Sequence, residues 1–518
     1  MSLSGEYCTA GLVCDSVRAD HNLIRGGRHD ETSLRTGVFR RSAPPKGGAY
    51  LLRRMRAERT VCLRRLGKGH AGEVRFSRLL NSRHVTPAEM LATAAKHCAS
   101  RVAGRHVLVP QDTSEINYEA HAGRAKGLGP VGNGTDLGFF IHPVLAIDAE
   151  HGGIIGLAGG RVWRRDGKIA KGRRQRELAD KESRRWVDMA RESAETLAAA
   201  DMVTSVCDRE GDIYELFAAK RPANAHLLVR AAQDRSLASG GVSPADAPAQ
   251  APTHVSPDAP AQAPTHVSPD ALAQAPTHVF AHAMSLAEQH RYEIEVPEKA
   301  GQKKRTATVA VGFGPIAIKR PSRAPRGELP DQIALNLVIV REEGAPQGAE
   351  PVRWVLLTTH AVDSLEAALK IVGWYRKRWL IEQLFRTLKS QGFNVEESQV
   401  VEGHALMNLV TAALIAAMQT LQLTLARDGT TQQPIEDAFT ANEARVLAAI
   451  ARELPGKTVK QSNPHPPDSL AWAAWIIARL GGWTGYASQK PPGPKTMYLG
   501  LKQFEALAQG WLLCDKDV

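Results

Sequence analysis

Apolar positions along the chain recur with two periods, and the shift between them marks out the elements. "VTPAEMLATAAKHCASRVAG" (85–104) predicts a helix with Pro87 in its first turn. "HVLVPQD" (106–112) predicts a buried strand that ends in an acid. "GFFIHPVLAID" (138–148) and "GGIIGLAGGRVWRR" (152–165) predict two more strands of a meander. An amphipathic helix follows over 181–200, then "VTSVCD" (203–208), a second buried strand ending in an acid. A short helix over 212–220 and a fifth strand over 226–232 complete this run. Further strands are predicted over 292–298, 305–313, 314–319, 333–340 and 354–359. Long helices are predicted over 364–390 and 404–426, another over 469–483, and a last one to about Leu513.

Two regions break the pattern. Residues 1–70 are rich in Arg and Gly with no sustained period, which predicts disorder or poor folding. Residues 242–279 repeat "DAPAQAPTHVSP" with a period of 12, which predicts an extended, solvated linker rather than a metal site at its histidines. The most apolar run, "LVTAALIAAMQTLQLTLA" (409–426), carries Thr and Gln and reads as a buried core helix rather than a membrane span. "GLGPVG" (127–132) fits a dinucleotide-binding pattern but opens no helix, so a mobile Gly-rich loop is expected.

Charge narrows the partners. The net charge is +12, and residues 1–80 hold 16 Lys and Arg against 7 Asp and Glu. Such an excess favours nucleic acid. The six cysteines, at 8, 14, 62, 98, 207 and 514, form no CxxC pair, so neither a zinc ribbon nor a disulfide framework is indicated. With no CxxC pairs and no apolar signal core at the N-terminus, a reducing cytosol is the expected location, with no membrane partner.

Three acids carry the candidate chemistry. Asp112 and Asp208 end buried strands, the edge of an α/β sheet where active sites gather. Either could instead cap the following turn. The third is Glu382, in "YRKRWLIEQLFRTLK" (375–389), where it is the only acid among five basic residues. At 100° per residue, Tyr375, Arg378, Glu382, Arg386 and Lys389 fall on one helical stripe, with Leu380, Ile381, Leu384 and Leu388 opposite. Three carboxylates from two strands and a helix can hold two divalent ions about 4 Å apart, and oxygen ligands suit Mg²⁺ or Mn²⁺.

"QDT", "VCDRE" and Y-x2-R-x3-E-x6-K occur in that order, the last met by Tyr375, Arg378, Glu382 and Lys389. In these motifs the chain resembles the DDE transposases of the insertion-sequence-four group, which includes the transposon-five enzyme. The resemblance spans about residues 73 to 513, the repeat excepted. It implies an α/β fold: a ribonuclease H-like core, a mixed five-stranded sheet flanked by helices, with a β-rich insertion. It implies that Asp112, Asp208 and Glu382 are the catalytic, metal-binding triad for two Mg²⁺ or Mn²⁺ ions. Tyr375, Arg378 and Lys389 would grip phosphates of double-stranded DNA at a transposon end, and Arg386 lies on the same face. Trp354 matches a tryptophan that stacks on a flipped base, unless it is simply core. Arg230 matches an arginine at the bent DNA end, or makes a salt bridge. Arg209 and Glu210 orient the site or bind DNA. The helix at 469–483 matches a segment that pairs protomers into a homodimer in the synaptic complex, or is buried within one chain.

The resulting organisation is a disordered or degenerate N-terminal region (1–72) and a remnant of a DNA-binding domain (73–104). The catalytic core (105–231 and 359–427) is interrupted by the insertion (232–358), and a helical dimerisation domain (428–518) closes the chain. Cut-and-paste DNA transposition is the expected function. Residues 1–70 depart from the family pattern, which suggests a shifted upstream reading frame. The alternative is therefore an inactive, N-terminally damaged copy that inhibits the full-length enzyme. A ribonuclease H-like nuclease of cellular role fits the cations around Glu382 less well.

Overall fold

The computed structural model describes residues 45–166, 182–238, 276–296 and 304–514, apart from residues 122, 133, 323, 325–328, 391, 455–457, 459–460 and 487. Most of the 12-residue repeat, with His254 and His266, lies outside the described residues, as do residues 1–44. The chain divides into two compact units: residues 86–422, and the two chain ends, 1–85 with 423–518.

In the unit of the chain ends, helices α1 (Pro45–Glu58) and α2 (Leu63–Gly67) occupy a stretch expected to be disordered or poorly folded, and α3 (His70–Leu80) runs on into the expected remnant of a DNA-binding domain. That expectation is corrected for residues 45–67. Leu51, Met55 and Leu66 are fully buried, and Arg54 donates from Nε to the Leu66 carbonyl at 2.8 Å. The apolar positions are too few among the arginines for the periodicity to stand out, yet they suffice when partners cover them.

The larger unit opens with α4 (Pro87–Ala99), whose cap Thr86 accepts from the Glu89 N–H and whose first turn holds Pro87. Strands β1 (His106–Pro110), β2 (Ser114–Asn117), β3 (Gly129–Val131), β4 (Asp136–Asp148) and β5 (Ile154–Trp163) follow. The loop expected at 127–132 is in part a strand, since β3 pairs antiparallel with β4. Helix α5 (Arg184–Thr196) turns Trp186, Met189, Ala190, Ser193 and Ala194 inward, the i, i+3, i+4 pattern of one apolar face. Then come β6 (Met202–Cys207), α6 (Tyr214–Ala218), β7 (Ala225–Arg230) and α7 (Val279–Ser285). Strands β8 (His290–Val296), β9 (Arg305–Lys319), β10 (Gln332–Glu342) and β11 (Arg353–Thr358) finish the β part. Residues 305–319, read from sequence as two strands, form one.

Eleven strands among the described residues form one mixed sheet, ordered β2-β4-β1-β6-β7-β11-β10-β9-β8, with β3 and β5 on β4. β1, β6 and β7 run parallel, and β4 runs antiparallel to β1. The β-rich stretch expected as an insertion does not form a sheet of its own. β11 pairs antiparallel with β7, Leu356 opposite Arg230, so the insertion extends the same sheet. A buried edge must be paired, and β7 has no other neighbour on that side.

Helices α8 (Leu365–Lys377) and α9 (Trp379–Leu388) replace the single helix expected over 364–390. Helix α10 (Gly403–Ala426) is the one long, strongly apolar helix among the described residues, and it is mostly buried. Gln422 Nε2 donates to the Ile154 carbonyl at 2.9 Å, a partner that a lipid-facing residue would lack.

The smaller unit ends with α11 (Ala441–Glu453), α12 (Leu470–Leu480) and α13 (Pro494–Cys514). Of the two readings of 469–483, pairing of protomers or burial within one chain, the burial of 470–478 fits the second. Every residue from Leu470 to Ala478 is buried within its own chain. A helix apolar all round belongs inside a core.

Candidate active site

β1 and β6 lie side by side in register, Pro110 opposite Val206, and the Gln111 N–H continues the ladder to the Val206 carbonyl. Two residues past each partner stand Asp112 and Asp208. The parallel pairing therefore delivers both acids to the same sheet edge. Asp208 caps the turn 209–211, Oδ1 accepting from the Glu210 N–H at 2.9 Å. Asp112 Oδ1 accepts from the Thr113 N–H at 2.7 Å. The capping roles foreseen for such acids are thus present, and each occupies one carboxylate oxygen.

Glu382 lies in the first turn of α9. The helix breaks at Arg378, whose N–H turns back to the Tyr375 carbonyl while its own carbonyl accepts from Ile381 N, both at 3.1 Å. These are tightened i, i+3 turns. They set Arg378 between two acids: Nη1 donates to Asp112 Oδ2 at 3.2 Å and Nη2 to Glu382 Oε1 at 2.7 Å. Burial pushes the Asp112 carboxyl up to about 7, the Asp208 charge adds to this, and Arg378 partly opposes it.

Among the described residues no three His, Cys, Asp or Glu side chains converge closely enough to chelate an ion. Asp112 and Glu382 share the Arg378 guanidinium instead. The donor set still suits a hard divalent cation, being oxygen-only and acidic, with a positive group already drawn between two of its members.

The expected stripe is only partly realised. Tyr375 is 5% exposed, tilted against Trp354 with ring centroids 5.7 Å apart, and hydrogen-bonded to Arg230. It forms wall rather than surface. Arg230 also donates to the Arg353 carbonyl at 2.9 Å, so buried Tyr375 with half-buried Trp354 and Arg230 spans β7, β11 and α8. Lys389 caps the end of α9, its N–H bonding the Phe385 carbonyl at 2.9 Å, and its Nζ is 3.2 Å from Glu396. Arg386 is exposed, 5.6 Å over the Trp379 ring, and Arg209 is exposed beside Asp208.

A family model described as "Transposase DDE domain" matches residues 139–419, more than half of the chain. The chain belongs to this family of DDE transposases. Membership brings DNA as substrate, transposition and recombination as the process, and divalent metal as the cofactor the family generally uses. The transposase's mixed sheet with flanking helices is consistent with a ribonuclease H-like transposase domain.

The match includes Asp208, Glu382 and every cation named above, but it begins after Asp112. The place of Asp112 in the transposase site rests on the β1–β6 register and on Arg378. Sequence reasoning missed one prominent residue. Arg185, on α5, reaches Thr113 beside Asp112 and Glu210 beyond Asp208. Its only trace in the sequence is a basic pair, "RR", ahead of a buried Trp.

Proposed function

We propose that this transposase is of the insertion-sequence-four kind and moves DNA by cut and paste, with Asp112, Asp208 and Glu382 as its metal-binding triad. The supporting observation is the pair of bonds from Arg378 to Asp112 and Glu382, which joins an acid from a strand end to an acid from a helix. Two Mg²⁺ or Mn²⁺ ions, when bound, would activate the attacking oxygen and stabilise the leaving one. Arg378 then lets go of the two carboxylates and turns to the phosphate, where a planar guanidinium makes two bonds. Arg386, Lys389 and Arg209 hold the neighbouring backbone, and Trp354 offers a face for an unstacked base. Water attacks the phosphodiester at the transposon end and frees a 3′-hydroxyl. That hydroxyl forms a hairpin with the opposite strand, which is reopened, and finally joins target DNA. No covalent bond to the protein is needed.

The catalytic core is assigned to residues 105–231 and 359–427, with 232–358 inserted between them. Synapsis of two ends calls for a homodimer. The test is Glu382→Ala with DNA carrying the flanking inverted repeats. Cleavage in Mg²⁺ should vanish while a gel shift persists. Metal-dependent cleavage by the variant at the parent rate would refute the triad.

A further inference from the structure

Behind the two aspartates runs a buried chain of polar side chains whose hydrogen bonds permit only one direction. Arg185 has only N–H groups to offer, so Thr113 Oγ1 accepts from its Nε at 3.0 Å. The Thr113 hydroxyl hydrogen is then available to His142 Nδ1, 2.8 Å away. At the other end, Gln111 Nε2 donates to the Trp186 carbonyl at 3.3 Å, which leaves Gln111 Oε1 as an acceptor. His142 Nε2 therefore carries the hydrogen and gives it to Oε1 at 3.0 Å. His142 is fully buried, and burial, with the charges of Arg185 and Arg161, holds it neutral. The Trp186 ring meets it edge-on at 5.0 Å, so both its rotation and its tautomer are set.

Arg185 has a second arm. Its Nη2 donates to Glu210 Oε2 at 3.0 Å, and the Glu210 N–H is itself held by Asp208. Its Nη1 donates to the Glu182 carbonyl at 2.8 Å, and the guanidinium lies over the Trp163 and Trp186 rings. The turn after Asp208 is pressed against the same support. A Cβ on Gly211 would come within 2.4 Å of Cys207 Cβ and 3.2 Å of the Trp186 ring. One side chain on a rigid helix thus grips the loop of each aspartate.

We propose that Arg185 is a positioning residue that sets the separation of Asp112 and Asp208, with His142 as the locked inner anchor of its Thr113 arm. This rests on the carboxylate reading above and deepens it. Apolar side chains would fill this space without the desolvation cost of a polar chain. A shared ion site, by contrast, needs its ligands held to about 0.5 Å.

The test uses the full chain and Mn²⁺ alone as probe, read by calorimetry or spin resonance, with melting in EDTA alongside. Arg185→Lys keeps the charge but cannot serve both arms. Thr113→Val removes the hydroxyl at constant shape, and Thr113→Ser restores it. Arg185→Lys and Thr113→Val should each weaken Mn²⁺ binding about tenfold or more, the usual scale for supports behind metal ligands. Thr113→Ser should stay within about threefold of the parent. Should Thr113→Val fail to fold, Arg185→Lys decides. A lowered melting temperature with parental Mn²⁺ affinity would mark a merely structural role and overturn the proposal. Parental affinity in Asp112→Asn would instead overturn the carboxylate reading, and this inference with it.

Discussion

Asp112 is 18% exposed at its side chain and faces Asp208 and Glu382, so the folded chain favours its protonated form. Its carboxyl is pushed up to about 7 by burial first and by Asp208 next. An unfolded chain returns it to the ordinary carboxylate range. The folded state thus binds the extra proton, and stability falls as pH rises between about 4 and 7. Below that window the contribution is complete, and above it the loss is complete, on the order of 4 kcal/mol. Asp112→Asn removes the ionisation. Melted in EDTA across this window, the variant should gain on the parent steadily as pH rises. A constant gap between the two would show that Asp112 titrates normally. Divalent ions compete for the same charge, so Mn²⁺ should stabilise the parent more at pH 8 than at pH 5.5.

At the scale of elements, the break at Arg378 matters most. On one continuous helix Leu380, Ile381, Leu384 and Leu388 would lie opposite the face that Ala368, Ile371, Val372 and Tyr375 bury, so the apolar side changes where α8 gives way to α9. At that break the Arg378 guanidinium bonds both Asp112 and Glu382, a contact that spacing along the chain does not reveal. The sheet poses a related case. Leu237 N donates to the Thr277 carbonyl at 2.8 Å, and Ser236 bridges to His278, so both flanks of the repeat are held together at the sheet. Chain removed between two points already side by side costs little loop entropy. Replacing residues 242–275 by a short Gly-Ser turn should leave the melting temperature within about 2 °C of the parent. A drop of about 10 °C would mean that the repeat supports the fold.

At the scale of the whole molecule, one unit is built from both ends of the chain. Lys502 pairs with Glu58 at 3.2 Å, and the Arg59 guanidinium lies over the Tyr498 ring. α1, from the stretch expected to be disordered or degenerate, and α13, from the expected C-terminal domain, belong to one unit. Met55 is fully buried there. Met55→Ala should cost this unit about 2–5 kcal/mol. Calorimetry of the variant should show an earlier transition for it, with the transition of residues 86–422 unmoved. A single transition shifted as a whole would mean that the two units unfold together.

Sequence patterning alone determined most strands and helices of residues 85–426, because each reads from its own periodicity and needs no distant partner. It also singled out Asp112, Asp208 and Glu382, since acids at strand ends and a lone acid among cations are local signals. Tertiary structure decided what depends on residues far apart in the chain. Arg378 between two acids, Arg185 between two loops, the joining of β11 to β7 and the burial of α12 are of this kind. A hydrogen bond or a covered face has two partners, and the spacing along one segment carries information about only one of them.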